Sequence, residues 1–545
     1  MRKIFIIILL SGLFSCEKVF HESDSDLSDL SHKNSMEEAL NGMYNRLARL
    51  AQGFYYTQIV NGDDITYIYY SNRISFSCTN IYAVDDEGRF IFSTGLDPNP
   101  ELSWKYTYEE KLLLIWQYIY NTIISANNII DQYETGELEN RLYACAGEAY
   151  FVRAYCYFKL VRLFGKGPLV TGVDVDYTLR CSGPEDIYRV IENDLMMAVK
   201  ILPENTNGSR IMYVTPHRGT AKALLAEAYL FMAGYPLKDD SKYIQAARFA
   251  GEVIDSAGFF GYGLIADYEE VWSRLNNYNE ESVFSLFYDQ VYDLDYDWPS
   301  QYSTTETLWL NWDEWKTMIV EVNFYNGFPR SYRRDVTFMN RLRGYHYELD
   351  YDAMFDPEWD PSKGLPIIDS VFFDHYYDTI GFGDNISFLK HYIQEDFPLG
   401  QNSCYKVINC KENVNDKNTS LYIFRYPHVL LTYAEAKARS GQLDASAYEA
   451  LNMVRRRANK VDVFSFSEYD LRPGLSTEQF ADSVVQERAW EFCGEMEGRW
   501  FDLIRLEMVE KLPELRHPNE KSPPAYPVTR EDYFLPVPEE AAVWF

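Results

Sequence analysis

Three groups of residues have types and spacings that could do chemistry. Glu487, Glu491, Glu495 and Arg499 recur every fourth position, so on a helix they share one face. Carboxylates placed so closely resemble general acid–base machinery. The same spacing lets acids and arginines interlock, and the reading adopted for them is an ion network tying a C-terminal helix to its scaffold. Asp293, Asp295 and Asp297 alternate like the start of a calcium loop. Trp298 stands where the glycine of such a loop belongs, however, and Thr304 where its last glutamate belongs, so no metal site is expected. The third group is aromatic. Asp295-Tyr296-Asp297-Trp298, Gln301-Tyr302 and Trp309-Leu310-Asn311-Trp312-Asp313-Glu314-Trp315 place four Trp and two Tyr within twenty residues, interleaved with acids and amides. Flat rings stack on the C–H face of a sugar while carboxylates and amides bond its hydroxyls. A cationic peptide could use the same surface, and Trp309, Trp312 and Trp315 at three-residue spacing could instead be a buried helical stripe.

Catalysis finds little else. HExxH, GxSxG, a GxGxxG following a strand and a Walker A loop are all missing from the sequence. Gly258-Phe259-Phe260-Gly261-Tyr262-Gly263 has the wrong spacing and no lysine, and the eight histidines are not paired at metal spacing. No catalytic residue and no cofactor is expected; glycoside hydrolysis by an unrecognised carboxylate pair stays as the lesser alternative, since 82 acids permit many pairs. The formal charge of −31, from 82 acidic and 51 basic side chains in 545 residues, repels phosphate backbones and anionic lipid alike. Nucleic acid is excluded as a partner.

The elements that must position the aromatic group are helical. Ile115, Trp116, Ile119, Ile123, Asn127 and Ile130 line one face of a helix ending near Gly136, with Trp116 in the core. A second helix, from about Glu139, stops at Gly165 with Pro168 beyond. Thr215-Pro216 reads as an N-cap and first helical position, leading into Ala221–Phe231 and a stop at Gly234; another helix runs from Ser241 to Gly258. Pro427 opens a helix closed by Gly441, followed by one bearing Ala447, Leu451, Val454 and Ala458. Ala226-Glu227-Ala228-Tyr229…Gly234 and Ala434-Glu435-Ala436-Lys437…Gly441 are alike, small residues and glycine where hairpin helices touch, as in tetratricopeptide pairs. Between the copies lies a Tyr-, Trp-, Asp- and Gly-rich insertion, about 259–422, with poor helical periodicity; loops on a rigid scaffold are where binding residues concentrate. The proline-punctuated end, from Pro513, is expected to wrap the body.

The N-terminus carries different information. Met1-Arg2-Lys3 precedes the apolar run Ile4–Leu10, too short for a membrane-spanning helix of about 20 residues. Leu13-Phe14-Ser15-Cys16 resembles the lipobox of bacterial lipoproteins, which implies a signal peptide over 1–15 and acylation of Cys16. The Ser/Asp-rich tract that follows, 16–34, reads as an acidic tether. The seven other cysteines are an odd, sparse set; Cys145 and Cys156, eleven residues or about 16 Å apart on one helix, cannot bridge. Cys404 and Cys410 could close a small loop.

These residues together resemble the SusD/RagB family over essentially the whole chain. The resemblance rests on Trp116-Gln117-Tyr118-Ile119-Tyr120 with Ala126-Asn127-Asn128, Arg153-Ala154-Tyr155 running to Phe164-Gly165-Lys166-Gly167-Pro168, and Thr220–Leu230. It continues through Arg425-Tyr426-Pro427 to Ala434-Glu435-Ala436, Glu487-Arg488-Ala489-Trp490-Glu491-Phe492, Gly498-Arg499-Trp500-Phe501-Asp502-Leu503-Ile504-Arg505 and Leu535-Pro536-Val537-Pro538. It implies a mainly α fold of four tetratricopeptide-like helix pairs with a large loop-rich insertion. The body would be one unit over 35–545, its scaffold about 35–258 and 423–512. It further implies a lipid-anchored, surface-exposed outer-membrane protein that binds oligosaccharide or polysaccharide and hands it to a SusC-like TonB-dependent transporter. A RagB-like oligopeptide binder is the alternative. The ligand candidates are then Trp298, Trp309, Trp312, Tyr296, Tyr302 and Asn311 from the insertion. From the early loop, which borders the ligand face in the family, come Tyr70, Arg73, Asp64 and Trp104.

Overall fold

The computed structural model describes residues 33–52, 63–67, 74–76, 80–84, 90–92, 108–174, 179–272, 276, 278–288, 319–338, 341–349, 367–376, 378–379, 419–495, 498–517 and 529–538. They are mostly helical, as expected. Six helices form the N-terminal half: α1 (Lys33–Gln52), α2 (Tyr108–Glu134), α3 (Tyr143–Phe164), α4 (Pro184–Ile201), α5 (Arg218–Met232) and α6 (Lys242–Asp255). Each packs on the next. α3 is buried on every side from Ala146 to Phe164, which its sequence requires: apolar residues encircle it, and only a central helix tolerates that. Trp116 is buried, edge-on to Phe164. Two short helices follow, α7 (Val322–Gly327) and α8 (Tyr332–Thr337), and then α9 (Tyr426–Arg439), α10 (Ala445–Ala458), α11 (Thr477–Glu491) and α12 (Arg499–Arg505). α9 packs on α6, α10 and α11, joining the two halves across the insertion into one apolar core from Met36 to Leu535.

Several stops fall where the sequence places them. Gly165, Gly136 and Gly441 take the left-handed conformation at φ 68°, 78° and 72°, which relieves the helix ends at no steric cost. The expected cap of α5 is a correction. The helix begins at Arg218 and His217 is its N-cap, the ring Nδ1 accepting from the Gly219 amide at 3.1 Å. Thr215 is drawn instead into the preceding turn, where its hydroxyl bonds the Ile211 amide and carbonyl. Gly234 lies beyond the helix, and the reason for glycine is a close approach: a Cβ there would sit 2.6 Å from the Arg505 carbonyl oxygen. Of the terminal stretch, Leu535 donates its amide to Leu163 and Phe534 lies against Gly165, so this part of it does lie across the body.

The insertion holds strands that helical periodicity could not reveal. β5 (Ser282–Tyr288) pairs antiparallel with β9 (Thr419–Arg425), so the insertion leaves and returns through a two-stranded neck. Earlier, β1 (Thr66–Tyr67) precedes a three-stranded sheet of β2 (Ile74–Phe76), β3 (Asn80–Val84) and β4 (Phe90–Phe92). β6 (Ile319–Val320) pairs with β1, and β7 (Arg341–Leu349) with β8 (Ile367–Tyr376).

The acid-and-arginine spacing resolves as a buried ion network, though not in the expected pairs. α11 ends at Glu491 and Gly494 turns the chain at φ 74°, so Glu495 and Arg499 leave the shared helix face. Glu491 is met by arginines from three elements: Arg333 of α8 at 2.8 Å, Arg425 at the end of β9 at 2.9 Å, and Arg457 of α10 at 2.5 Å. Glu281, just before β5, receives Arg425 and Arg457, and Glu495 takes Arg425 through both oxygens at 2.8 and 2.9 Å. A second cluster joins Arg488 to Glu227 of α5 and Asp502, and Arg505 to Asp502 and, bidentately, to Glu435 of α9. Arg153 of α3 grips Asp194 of α4 with two 2.7 Å bonds and donates to Asn127 of α2.

Burial opposes ionisation of Glu491, but Arg457, Arg425 and Arg333 outweigh it and hold the carboxyl down at about 2. Burial pushes Glu148 and Asp194 the other way, above their ordinary values. A carboxyl whose folded pKa lies below its unfolded value of 4.5 stabilises fully above that pH and loses the contribution as pH falls toward the folded value. Glu491→Gln is therefore expected to cost about 3–5 kcal/mol in urea unfolding at neutral pH, since it removes the carboxylate that three buried arginines share and leaves them only Glu487, Glu281 and Glu495. The gap between wild type and variant should stay constant above about pH 4.5 and close as pH approaches 2.

Candidate functional site

The described residues include the platform from which the two candidate loops depart. β1 and β6 form a short antiparallel ribbon, Thr66 opposite Val320 and Tyr67 opposite Ile319. The early loop, Gly62 to Trp104 in the sequence, passes through this ribbon at β1. The segment 289–318, which carries the aromatic cluster, runs from the end of β5 at Tyr288 to the start of β6 at Ile319. Two stretches more than 200 positions apart in sequence therefore share a root.

That root is built firmly. Under it lies a separate apolar cluster of Ile65, Val320, Phe324, Tyr325, Phe328, Phe338, Ala489 and Cys493. Phe328 and Phe338 meet edge-on at 5.2 Å, a favoured ring geometry. The Glu321 amide donates to the Ile65 carbonyl at 2.7 Å, and its carboxylate caps α7 through the Phe324 amide while accepting the His517 amide. Asp63 accepts from the Ile65 amide, and its carbonyl accepts from Arg516.

Asp64 is buried, with both oxygens engaged at 2.8 Å by Arg499 Nε and Nη2 at the start of α12. Burial disfavours the Arg499 cation, but the Asp64 carboxylate more than compensates and holds the Arg499 pKa above its ordinary value. The pair ties the early loop's root to the Gly498–Arg505 stretch, 435 residues later. Arg499 Nη1 is a buried donor without a partner. Of the other candidates, Trp298, Trp309, Trp312, Tyr296, Tyr302, Asn311, Tyr70, Arg73 and Trp104 lie outside the described residues, as do Cys16, Cys404 and Cys410. Cys145 and Cys156 are unbridged.

The residues that hold the base of the β5–β9 neck were missed as a set. Arg333, Arg425 and Arg457 converge on Glu491, Glu281 shares two of them from 210 positions earlier, and no spacing rule connects the set. One signal was present: Arg455-Arg456-Arg457 is a run of three arginines on an amphipathic helix of a strongly acidic chain. Such a run on a helix cannot be wholly exposed, and Arg456 and Arg457 point inward.

A helical scaffold that folds its C-terminal arginines inward and extrudes an insertion through a strand neck defines a particular class of protein. The description "SusD family" matches residues 399–541, and "Starch-binding associating with outer membrane" matches residues 21–230, together more than half of the chain. The chain belongs to the SusD/RagB family. The SusD-like protein P2 of Formosa agariphila is 25% identical over 437 residues, covering 78% of this chain and 76% of that protein. A SusD homolog from Bacteroides thetaiotaomicron superposes with TM-score 0.67 at 21% identity, covering 95% of this chain and 96% of the other. Surface glycan-binding protein A from Bacteroides fluxus superposes with TM-score 0.61 at 18% identity, covering 93% and 96%.

Asp64→Ala is expected to destabilise the fold by about 3 kcal/mol, because it leaves the Arg499 cation buried without its acid. Urea unfolding checks this, and Asp64→Ala combined with Arg499→Met should recover most of the loss.

Proposed function

We propose that this protein is a lipid-anchored outer-membrane protein, exposed at the cell surface, that binds oligosaccharide and delivers it to a SusC-like TonB-dependent transporter. The observation that carries the reading is the shared root at β1 and β6, from which both candidate loops of a SusD/RagB chain depart. The family description names starch binding and association with the outer membrane, and one structural neighbour is named a surface glycan-binding protein. Those names describe binding and not catalysis, in keeping with a protein that breaks no bond. No described helix is long and apolar enough to cross a membrane, so the anchor in this reading is acylated Cys16.

Affinity comes from aromatic faces. Trp298, Trp309 and Trp312 supply stacking surfaces, flanked by Tyr296, Tyr302 and Asn311, with Tyr70, Arg73 and Trp104 from the early loop completing the ligand face. Asp64, whose oxygens are both engaged by Arg499, enters as a support of the loop root. The four tetratricopeptide-like pairs are the scaffold against which these loops are held, with the insertion at about 259–422.

Isothermal titration of the chain lacking residues 1–16 against panels of oligosaccharides and of peptides tests the reading. Heat with oligosaccharide is expected, and at least one of Trp298→Ala, Trp309→Ala and Trp312→Ala should weaken it about tenfold, the equivalent of one lost stacking contact. Heat with peptides alone would replace the sugar by an oligopeptide, the RagB-like alternative. Release of reducing ends by the purified protein would make it a glycoside hydrolase and overturn the reading.

A further inference from the structure

The ribbon at the root of the two candidate loops is too short to set its own position, since β1 and β6 are two residues each. From beneath, the cluster of Ile65, Val320, Phe324 and Phe328 fixes its depth. Apolar contact is non-directional and leaves sideways movement open. Directional bonds stop that movement, and one stretch of chain, 499–517, supplies a set of them. Arg499 holds Asp64 through both oxygens, and Arg516 donates to the Asp63 carbonyl. The His517 amide donates to Glu321 Oε1 at 2.7 Å, and the Asn323 side-chain amide to the Leu515 carbonyl at 2.9 Å. Asp63 and Asp64 precede β1, while Glu321 and Asn323 follow β6. In an antiparallel pair with Thr66 opposite Val320 these four lie at the same end of the ribbon. The chain beyond Tyr67 leaves from the other end, where the segment 289–318 arrives at Ile319.

The holding stretch is itself tied to the scaffold. Arg505 of α12 grips Glu435 of α9 at 2.7 and 2.6 Å, and its carbonyl accepts the Tyr235 amide just beyond α5. Val509 and Leu512 are fully buried in the main core. Leu512–Leu515 form one helical turn, closed by the Arg516 amide on the Leu512 carbonyl at 3.0 Å. Only a few residues therefore separate the core from the held end of the ribbon. Glu321, 2% exposed, is the most committed partner. Its amide donates to the Ile65 carbonyl across the ribbon, Oε2 accepts the Phe324 amide at 2.9 Å, and Oε1 takes the His517 amide. A carboxylate accepts through both oxygens at once. Glutamine, of the same shape, has one acceptor oxygen and turns an amino group toward the other donor.

We infer that Glu321, Asn323 and Arg516 are positioning residues for ligand binding: through them the stretch 499–517 sets how the early loop and the segment 289–318 stand relative to each other. The inference rests on the proposed function, because it is the ligand face that these bonds hold in place. Affinity rises when the groups that meet a ligand are fixed before it arrives. None of the three residues has to touch the sugar for this.

The test compares the full chain, solubilised in detergent, with Glu321→Gln, with Asn323→Ala/Arg516→Met and with Glu227→Gln. The second variant leaves every buried carboxylate in place. Glu227 is a scaffold acid held by Arg488 and Thr432, and its variant stands for lost stability without lost position. Titration with maltoheptaose, laminarihexaose and xylohexaose reads affinity. Fluorine NMR of fluorotryptophan-labelled protein reads loop position, its signals assigned by single Trp→Phe replacements. Both positioning variants are expected to bind the sugar that wild type binds about fivefold more weakly. They should also move the signals of Trp298, Trp309 and Trp312 while that of Trp116, buried in the scaffold, stays. Glu227→Gln should lower the thermal midpoint and leave affinity and those three signals as in wild type. Equal affinity or unmoved loop signals in the positioning variants overturn the inference and leave the proposed function standing. A loss of affinity in Glu227→Gln as large as theirs also overturns it, because general loosening would then suffice. If wild type gives no heat with any of the three sugars, the sugar reading fails and the inference with it.

Discussion

The fold depends on a single buried exchange of charge around Glu491. Three guanidinium groups reach this one carboxylate from α8, the end of β9 and α10, and two of them continue to Glu281 at the other end of the insertion. Glu281 and Arg425 are also neighbours through the backbone, since the Tyr426 amide donates to the Glu281 carbonyl at 2.8 Å. The charges therefore close the neck at its base. Were they absent, the insertion would be held by the β5–β9 ribbon, the aromatic contacts of Phe284 and Phe424 with α3, and the apolar cluster under β6.

The helical part of this arrangement was legible because its rules are local. Apolar residues at three- and four-residue spacing around Trp116 and Ile123, a glycine at 165 and a proline at 427 each act within one or two turns of helix. Where two local rules competed, the sequence misled: Thr215 is as good a cap as His217 on paper, and the turn at Ile211 claimed it first. The strands at the root of the two loops were invisible for the opposite reason. β1 and β6 are each two residues long, and their pairing is set by what packs beneath them, not by any alternation in their own residues. The aromatic cluster was legible by composition alone, since interleaved Trp and Asp is an unusual use of a surface whatever its geometry.

Aromatic residues divide into two uses along the chain. Phe151, Tyr155, Phe284 and Phe424 stack edge-to-face where α3 meets the neck strands β5 and β9, so part of the aromatic excess is what joins scaffold to insertion. Phe328, Phe338 and Tyr325 do the same under the β1–β6 root. The acid excess divides likewise. Glu227, Glu281, Glu435, Glu491 and Asp502 are buried and matched by arginine, so they add nothing to the outer field. What repels anions is carried by the remaining acids.

A buried ion cluster needs a reason beyond stability, because well-packed apolar residues of similar volume often stabilise as much or more. Geometry supplies one here. Arg425 meets Glu495 through Nε and Nη2 and Glu281 and Glu491 through Nη1, so its guanidinium plane is fixed in position and angle by three acids from two elements. Apolar contacts are non-directional and would tolerate a slip of β9 along β5, a pairing already irregular between Ser282 and Ser285. A one-residue slip there would reverse the faces of Phe284 and Phe424, which pack into the core beside Tyr155. Arg425 ends β9 and Glu281 precedes β5, so their bond fixes the register at the point where an error would be carried into the whole insertion. The same requirement extends to Asp64 and Arg499 at the other root, where a bidentate pair sets the position of β1 near the start of the early loop.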